Sequence, residues 1–398
     1  MLPRILNMST GPVHVSDAVL RAQLDANTSS HSTGFLKLYD STVAATRALL
    51  RTTSETLVVH GSIRTGLDLA LGNLIAPGDK ILALTNGFWG EYLAASARRH
   101  GGNVIPVACS ILHPIDVEFV RQALSEHPDI KLVTLVHVET NTGVENPVQD
   151  IGRLVASSGA VLLVDTACSA GSIPLETDLW GVDVGVTGSH KGLGALPGLT
   201  VLTVSEKAWG KFGQMATRTP QSPWNLRALF DAALTRGAPP LYTQPTSLVQ
   251  ALAASLHEID GCGADRWFEA HARAAESLRS ALRAEGFRLA TDASRTPDQG
   301  LDYGLSPSVV AVLYPEGLND SQFRTLLEHE YGIFVIGNVG EQAGRSFRVG
   351  LMSSVQIDPR SIMSTVAAIV AVSGQLGFKR TSARCRSAIR LSDCHDDR

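Results

Sequence analysis

Short apolar runs alternate with amphipathic stretches through the first half of the chain. The runs Thr56–His60, Lys80–Thr85, Val104–Val107, Lys131–Val138, Ala160–Asp165 and the stretch opening at Val182 read as strands. Between them, apolar positions at helical spacing mark Asp17–Gln23, Leu36–Leu50, Ile63–Ile75, Glu91–His100, Val117–Leu124 and Ile151–Ser157. In the third helix Leu67, Leu71, Leu74 and Ile75 share one face, and Pro77-Gly78-Asp79 stops it. This alternation, sustained to residue 205, predicts an α/β fold with a doubly wound, mostly parallel sheet covered on both faces.

Beyond residue 205 the pattern loosens. Helices are predicted at Glu206–Met215, Trp224–Leu234, Leu248–Glu258, Trp267–Glu285, Ser321–Tyr331 and Ser361–Val372, with strands in 306–316 and 332–337; Arg345–Met352 follows them. This is the signature of a smaller α+β domain. The chain therefore divides into an N-terminal arm (1–15), a large domain (16–260), a small C-terminal domain (261–375) and a disordered tail (376–398). The arm turns at Gly11-Pro12 and is compatible with a loose end or with a cover over a pocket. The tail carries Lys379, Arg380, Arg384, Arg386 and Arg390 and reads as solvated. No internal repeat is present.

Open sheets of this kind gather ligands just beyond the C-terminal ends of their strands. Five turns fall there. Gly61-Ser62 feeds a helix N-terminus, whose free N–H groups and positive dipole end suit a phosphate. Trp89 lies in Asn86-Gly-Phe-Trp-Gly90, and Thr140 ends the Lys131–Val138 run. Asp165 ends an apolar strand, where a lone carboxylate is costly to bury without a partner. Lys191 stands among Gly188, Ser189, His190 and Gly192. The chain has only seven lysines against 27 arginines, which makes that position conspicuous. One chemistry uses the last two together: a lysine joins pyridoxal phosphate as a Schiff base, and an acid holds the proton on the pyridine nitrogen. His31, in a polar loop, reads as solvated.

Bulk composition narrows the alternatives. With 398 residues, 44% of them hydrophobic, the chain can bury a large core. A net charge of −4 gives no electrostatic case for nucleic acid or an anionic membrane surface. No apolar run reaches the roughly 20 residues of a bilayer span; Ser361–Gly374 comes nearest. The five cysteines (109, 168, 262, 385, 394) lack metal-ligand spacing, so no metal is expected. They read as reduced thiols, and with no signal segment at the N-terminus the expected location is cytoplasmic.

The specific motifs resemble the class V, fold-type I pyridoxal-phosphate aminotransferases, above all the alanine/serine–glyoxylate branch and the pyridoxamine–pyruvate transaminases. The resemblance runs from about residue 9 to 352. It is carried by Val164-Asp-Thr-Ala-Cys-Ser-Ala-Gly-Ser-Ile-Pro174, Gly188-Ser-His-Lys-Gly192 and Leu196-Pro-Gly-Leu-Thr200. His137-Val-Glu-Thr-Asn-Thr-Gly-Val144, Asn86–Gly90 and Phe347–Met352 also match. It implies that Lys191 is the Schiff-base lysine, Asp165 the partner of the pyridine nitrogen and Trp89 the aromatic stacked on the ring. Thr140 would approach the phenolic oxygen. Ser62, Ile63 and Arg64 with His190 would form the phosphate cup, and Thr243 would reach the phosphate from a neighbouring subunit, making a homodimer with shared sites. Arg348 would clamp the substrate carboxylate, with Gly11 nearby. The substrates implied are a small amino acid and a small 2-oxo acid. A lyase, decarboxylase or aldol-type reaction on the same scaffold, or an acidic or pyridoxamine donor, are alternatives. The cup departs from the family at His60-Gly-Ser-Ile-Arg-Thr65, which lacks the second glycine and following histidine, and Pro240 stands where a tyrosine is expected. Arg64 is open to three roles: helix surface, phosphate contact, or contact to a second acidic group on the substrate.

Overall fold

The computed structural model describes residues 5–25, 28–215, 242–294 and 302–378, with positions 225, 228–229, 231, 296 and 300. The helix expected at Trp224–Leu234 and the basic tail from Lys379 onward lie almost wholly outside these residues.

A seven-stranded sheet forms the centre. Its spatial order is Glu55–His60, Leu199–Val204, Val184–Gly188, Val161–Asp165, Leu132–Val136, Lys80–Thr85 and Asn103–Ala108. The strands from Val184–Gly188 to Asn103–Ala108 run parallel, while Leu199–Val204 is antiparallel to both neighbours. Four of them are buried at every residue. That explains why they read as continuous apolar runs: helices cover both faces, so neither side chain set meets water. One face packs Leu67, Leu71 and Leu74 of helix Ile63–Leu74 against Leu163, Val186 and Leu202. The other packs Val120, Ile151 and Val155 against Leu82, Val133 and Leu162.

A second core is built on the three-stranded antiparallel sheet Val309–Leu313, Ser346–Gly350 and Ile336–Gly337, with Phe323, Phe347 and Ile369 at its centre. The helix Ala264–Ala284 bridges the two cores. Its Trp267 and Phe268 pack with Val249, Leu252 and Phe35 of the first, whereas Ala275, Leu278 and Leu282 pack in the second.

The chain start is tied down rather than loose over residues 6–14. Leu6–Asn7 pairs in parallel with Ile333–Phe334. Met8 is fully buried in the second core, and its carbonyl accepts the Gly350 N–H at 2.7 Å. Gln356 Nε2 donates to the carbonyls of Asn7 (3.0 Å) and Ser9 (2.8 Å). These contacts carry residues 9–13 across the edge where the parallel strands end. Among the described residues no helix is long and apolar enough to cross a membrane.

Candidate active site

Lys191 stands three residues beyond Val184–Gly188, in a turn closed by the Lys191 and Gly194 amides donating to the Gly188 and Lys191 carbonyls. Asp165 ends the neighbouring strand, and the two residues line the same pocket. Trp89, Thr140 and His190 line it as well, and Gly11 comes in from the arm. Ser62, Ile63 and Arg64 contribute the N-terminus of helix Ile63–Leu74. Nine of the positions singled out in the sequence therefore face one cavity. Thr243 and Arg348 do not line it. Thr243 is exposed on the segment before helix Thr246–Cys262. Arg348 is buried on Ser346–Gly350, where its Nη2 donates to the Gly337 carbonyl at 2.8 Å and its Nε has no partner.

Burial is the largest influence on the charged groups at this site. Burial raises the Asp165 carboxyl to about 6, with the Ala167 N–H (2.9 Å) and the charge of Lys191 pulling the other way. Burial, reinforced by Lys191, lowers His190 to about 4, so its ring is neutral at pH 7. Desolvation also lowers Arg348, against the opposing influence of Cys168 and Glu139. The Lys191 Nζ donates to the Thr10 carbonyl and lies 3.7 Å from Cys168 Sγ. Cys168 Sγ is 3.2 Å from Thr140 Oγ1. The Arg64 guanidinium stacks over the rings of Trp89 and Tyr92, 5.2 Å from each centroid.

The pocket leaves polar groups for a ligand to satisfy. Trp89 Nε1 and His190 Nδ1 are buried with no hydrogen-bond partner. Ser62 caps its helix through a box with Thr65, yet the first turn holds no acid, so its positive end faces the cavity uncompensated. An aromatic face, a buried acid, an amine and a helix N-terminus around one cavity match a flat, protonatable ring that carries a phosphate.

Residues 14–347 match the family Aminotransferase class-V. The chain belongs to the class-V aminotransferases. An aminotransferase of Methanocaldococcus jannaschii is 32% identical over 94% of both chains. The pyridoxamine–pyruvate transaminase of Mesorhizobium japonicum is 28% identical over 94% of this chain and 91% of its own. The crystal structure of an alanine–glyoxylate aminotransferase from Nostoc superposes with a TM-score of 0.87 at 29% identity, covering 94% of this chain and 96% of that one. This aminotransferase has the fold-type I architecture of these relatives, and its family works with pyridoxal phosphate.

Two pocket neighbours, Cys168 and Glu139, have no role assigned from the sequence. Both lie within motifs that carry the resemblance, Cys168 in Val164–Pro174 and Glu139 in His137–Val144. Glu139 ends an apolar run as Asp165 does, and a carboxylate buried there equally needs a partner.

Proposed function

We propose that this enzyme exchanges an amino group between a small amino acid such as alanine or serine and a small 2-oxo acid such as glyoxylate or pyruvate, with pyridoxal phosphate held in the pocket. The observation that carries this reading is the meeting of Lys191 and the buried Asp165 in one cavity beside Trp89. Asp165 would hold the ring nitrogen, Trp89 the ring face and Thr140 the phenolic oxygen. The N-terminal amides at Ile63 and Arg64, with Ser62 and His190, would hold the phosphate. When bound, that cofactor supplies an electron-withdrawing ring next to the substrate amine.

The protein's own groups do the rest. Lys191 Nζ would hold the cofactor at rest, and would serve as the base that takes the proton from the substrate Cα and later returns one. Asp165 would stay ionised against a positive ring nitrogen, which would offset its burial. Arg348 offers a two-pronged guanidinium for the substrate α-carboxylate; its unpartnered Nε is one free donor for that task. Walls of Leu67, Val136, Val138 and Ala167 exclude water and favour a short side chain.

The same proposal includes a homodimer, in which the exposed Thr243 reaches the phosphate of the partner's site, and a cytoplasmic location, which suits the free thiols Cys109, Cys168 and Cys262. The deciding experiment screens single amino acids for loss of the visible absorbance band of the purified protein. Rapid bleaching by alanine or serine, with recovery on adding glyoxylate or pyruvate, is the expected result. A second reading, an acidic donor, is favoured by the position of Arg64 on the pocket wall. Bleaching only by acidic amines, or only by free pyridoxamine, would replace the first reading.

A further inference from the structure

The helix Phe88–Arg99 begins one residue before Trp89 and has no cap of its own. Its N-cap is Gly87, which offers no side chain. The acceptor comes from elsewhere in the chain. Glu139 takes the Trp89 N–H at 3.1 Å through Oε2 and 3.3 Å through Oε1, and the Gly90 N–H at 3.3 Å through Oε2. Glu139 is fully buried. Gly87 makes room for it, since a Cβ there would stand 2.3 Å from Glu139 Cγ.

We propose that Glu139 is a positioning residue whose carboxylate caps the Trp89 helix and fixes the indole as the wall against which the cofactor ring rests, and whose protonation loosens that wall. This rests on the role proposed above for Trp89. A carboxylate accepts both N–H groups and faces the positive helix end, whereas a protonated carboxyl turns one oxygen into a donor and loses its charge. The groups facing Glu139 are the amides of Trp89, Gly90 and Asn141, the carboxyl of Asp165 and, more weakly felt, the guanidinium of Arg348. Burial first, then the like charge of Asp165, outweigh those amides and bring Glu139 up to about 7. The latch therefore changes state around neutrality. A cation seated at Asp165 cancels the like charge and drives Glu139 toward its ionised, capping form.

The test reads the indole before any cofactor is added. Near-ultraviolet circular dichroism of the cofactor-free protein, minus that of Trp89→Phe, isolates Trp89 from the other four tryptophans. The difference signal should titrate between about pH 6 and 8. Glu139→Gln keeps the size and one acceptor but cannot ionise. Its signal should lose the step near pH 7, keeping only a change at or below about 6 from Asp165, and it should bind pyridoxal phosphate roughly ten- to hundredfold more weakly, the range seen when the group supporting a metal ligand is removed. Gly87→Ala, which pushes the carboxylate aside without removing it, should weaken binding in the same direction. A Glu139→Gln protein that melts normally and titrates like the parent overturns the latch. An altered indole signal with unchanged cofactor affinity overturns the Trp89 wall while leaving the cap in place.

Discussion

Lys191 Nζ donates a hydrogen bond to the carbonyl oxygen of Thr10, a residue 181 positions away in the chain. The next residue, Gly11, has φ +123°, and a Cβ there would fall 2.6–2.8 Å from Cε, Cδ and Nζ of the lysine. The arm is thus part of the site and presses directly on the amine. Borohydride treatment of the purified holoenzyme, followed by peptide mapping, should place a pyridoxyl label on Lys191. Lys191→Ala should bind the cofactor without a covalent link and lose turnover. A label on any other lysine would end the assignment.

Asp165→Asn retains shape and the hydrogen bond from Ala167 but cannot hold a proton on the ring nitrogen. The half-reaction with an amino acid, followed by stopped-flow absorbance, should slow by about two or more orders of magnitude. Near-normal rates would remove Asp165 from the chemistry.

Asp165 also sets a pH signature in the cofactor-free protein. Its folded value, about 6, lies above the ordinary 3.8. The proton is therefore bound more tightly in the folded state, and the associated stability is full below about pH 4 and lost as pH rises through 6. His190, lowered to about 4, acts oppositely, losing stability as pH falls from about 6.5. The difference between parent and Asp165→Asn isolates the first effect. The variant should gain on the parent between about pH 4 and 7, by on the order of 2–3 kcal/mol. Thermal melts of both cofactor-free proteins across that range test it; a constant difference would show that Asp165 ionises at the same pH folded and unfolded.

Arg348→Lys replaces a planar fork by a point charge on a buried strand. KM should rise about tenfold or more for every amino acid tested, with kcat less affected. An effect confined to one donor would place the α-carboxylate elsewhere.

Arg64→Ala separates three roles. Selective loss with acidic donors shows that the guanidinium stacked on Trp89 meets a second anionic group on the substrate. An equal loss with all donors, together with weaker cofactor binding, shows a phosphate contact. Unchanged kinetics leave it as a surface residue of the helix.

The parallel sheet was legible because strands such as Val161–Asp165 are buried on both faces and so spell unbroken apolar runs. Lys191 and Asp165 were legible because a charged group at the end of such a run demands an explanation. The start of the Trp89 helix was not. The sequence predicts Glu91, whereas the helix begins at Phe88, because its cap is the carboxylate of Glu139 and local sequence holds no capping residue. The strand Leu6–Asn7 was equally hidden. Two residues carry no period, and their partner, Ile333–Phe334, lies more than 300 positions later.

That pairing has a consequence for biosynthesis. A chain made from its N-terminus exposes Thr10 early, but the segments that hold it over Lys191, from Gly332 to Gln356, emerge only after Lys191 itself. The lysine loop and its sheet can assemble while the front of the pocket is still missing, since such distant pairings must wait for loop closure. A product truncated before residue 332 would carry the Lys191 amine without its roof. Completing the pocket therefore waits on the synthesis of residues 332–356, well after Lys191 itself has been made.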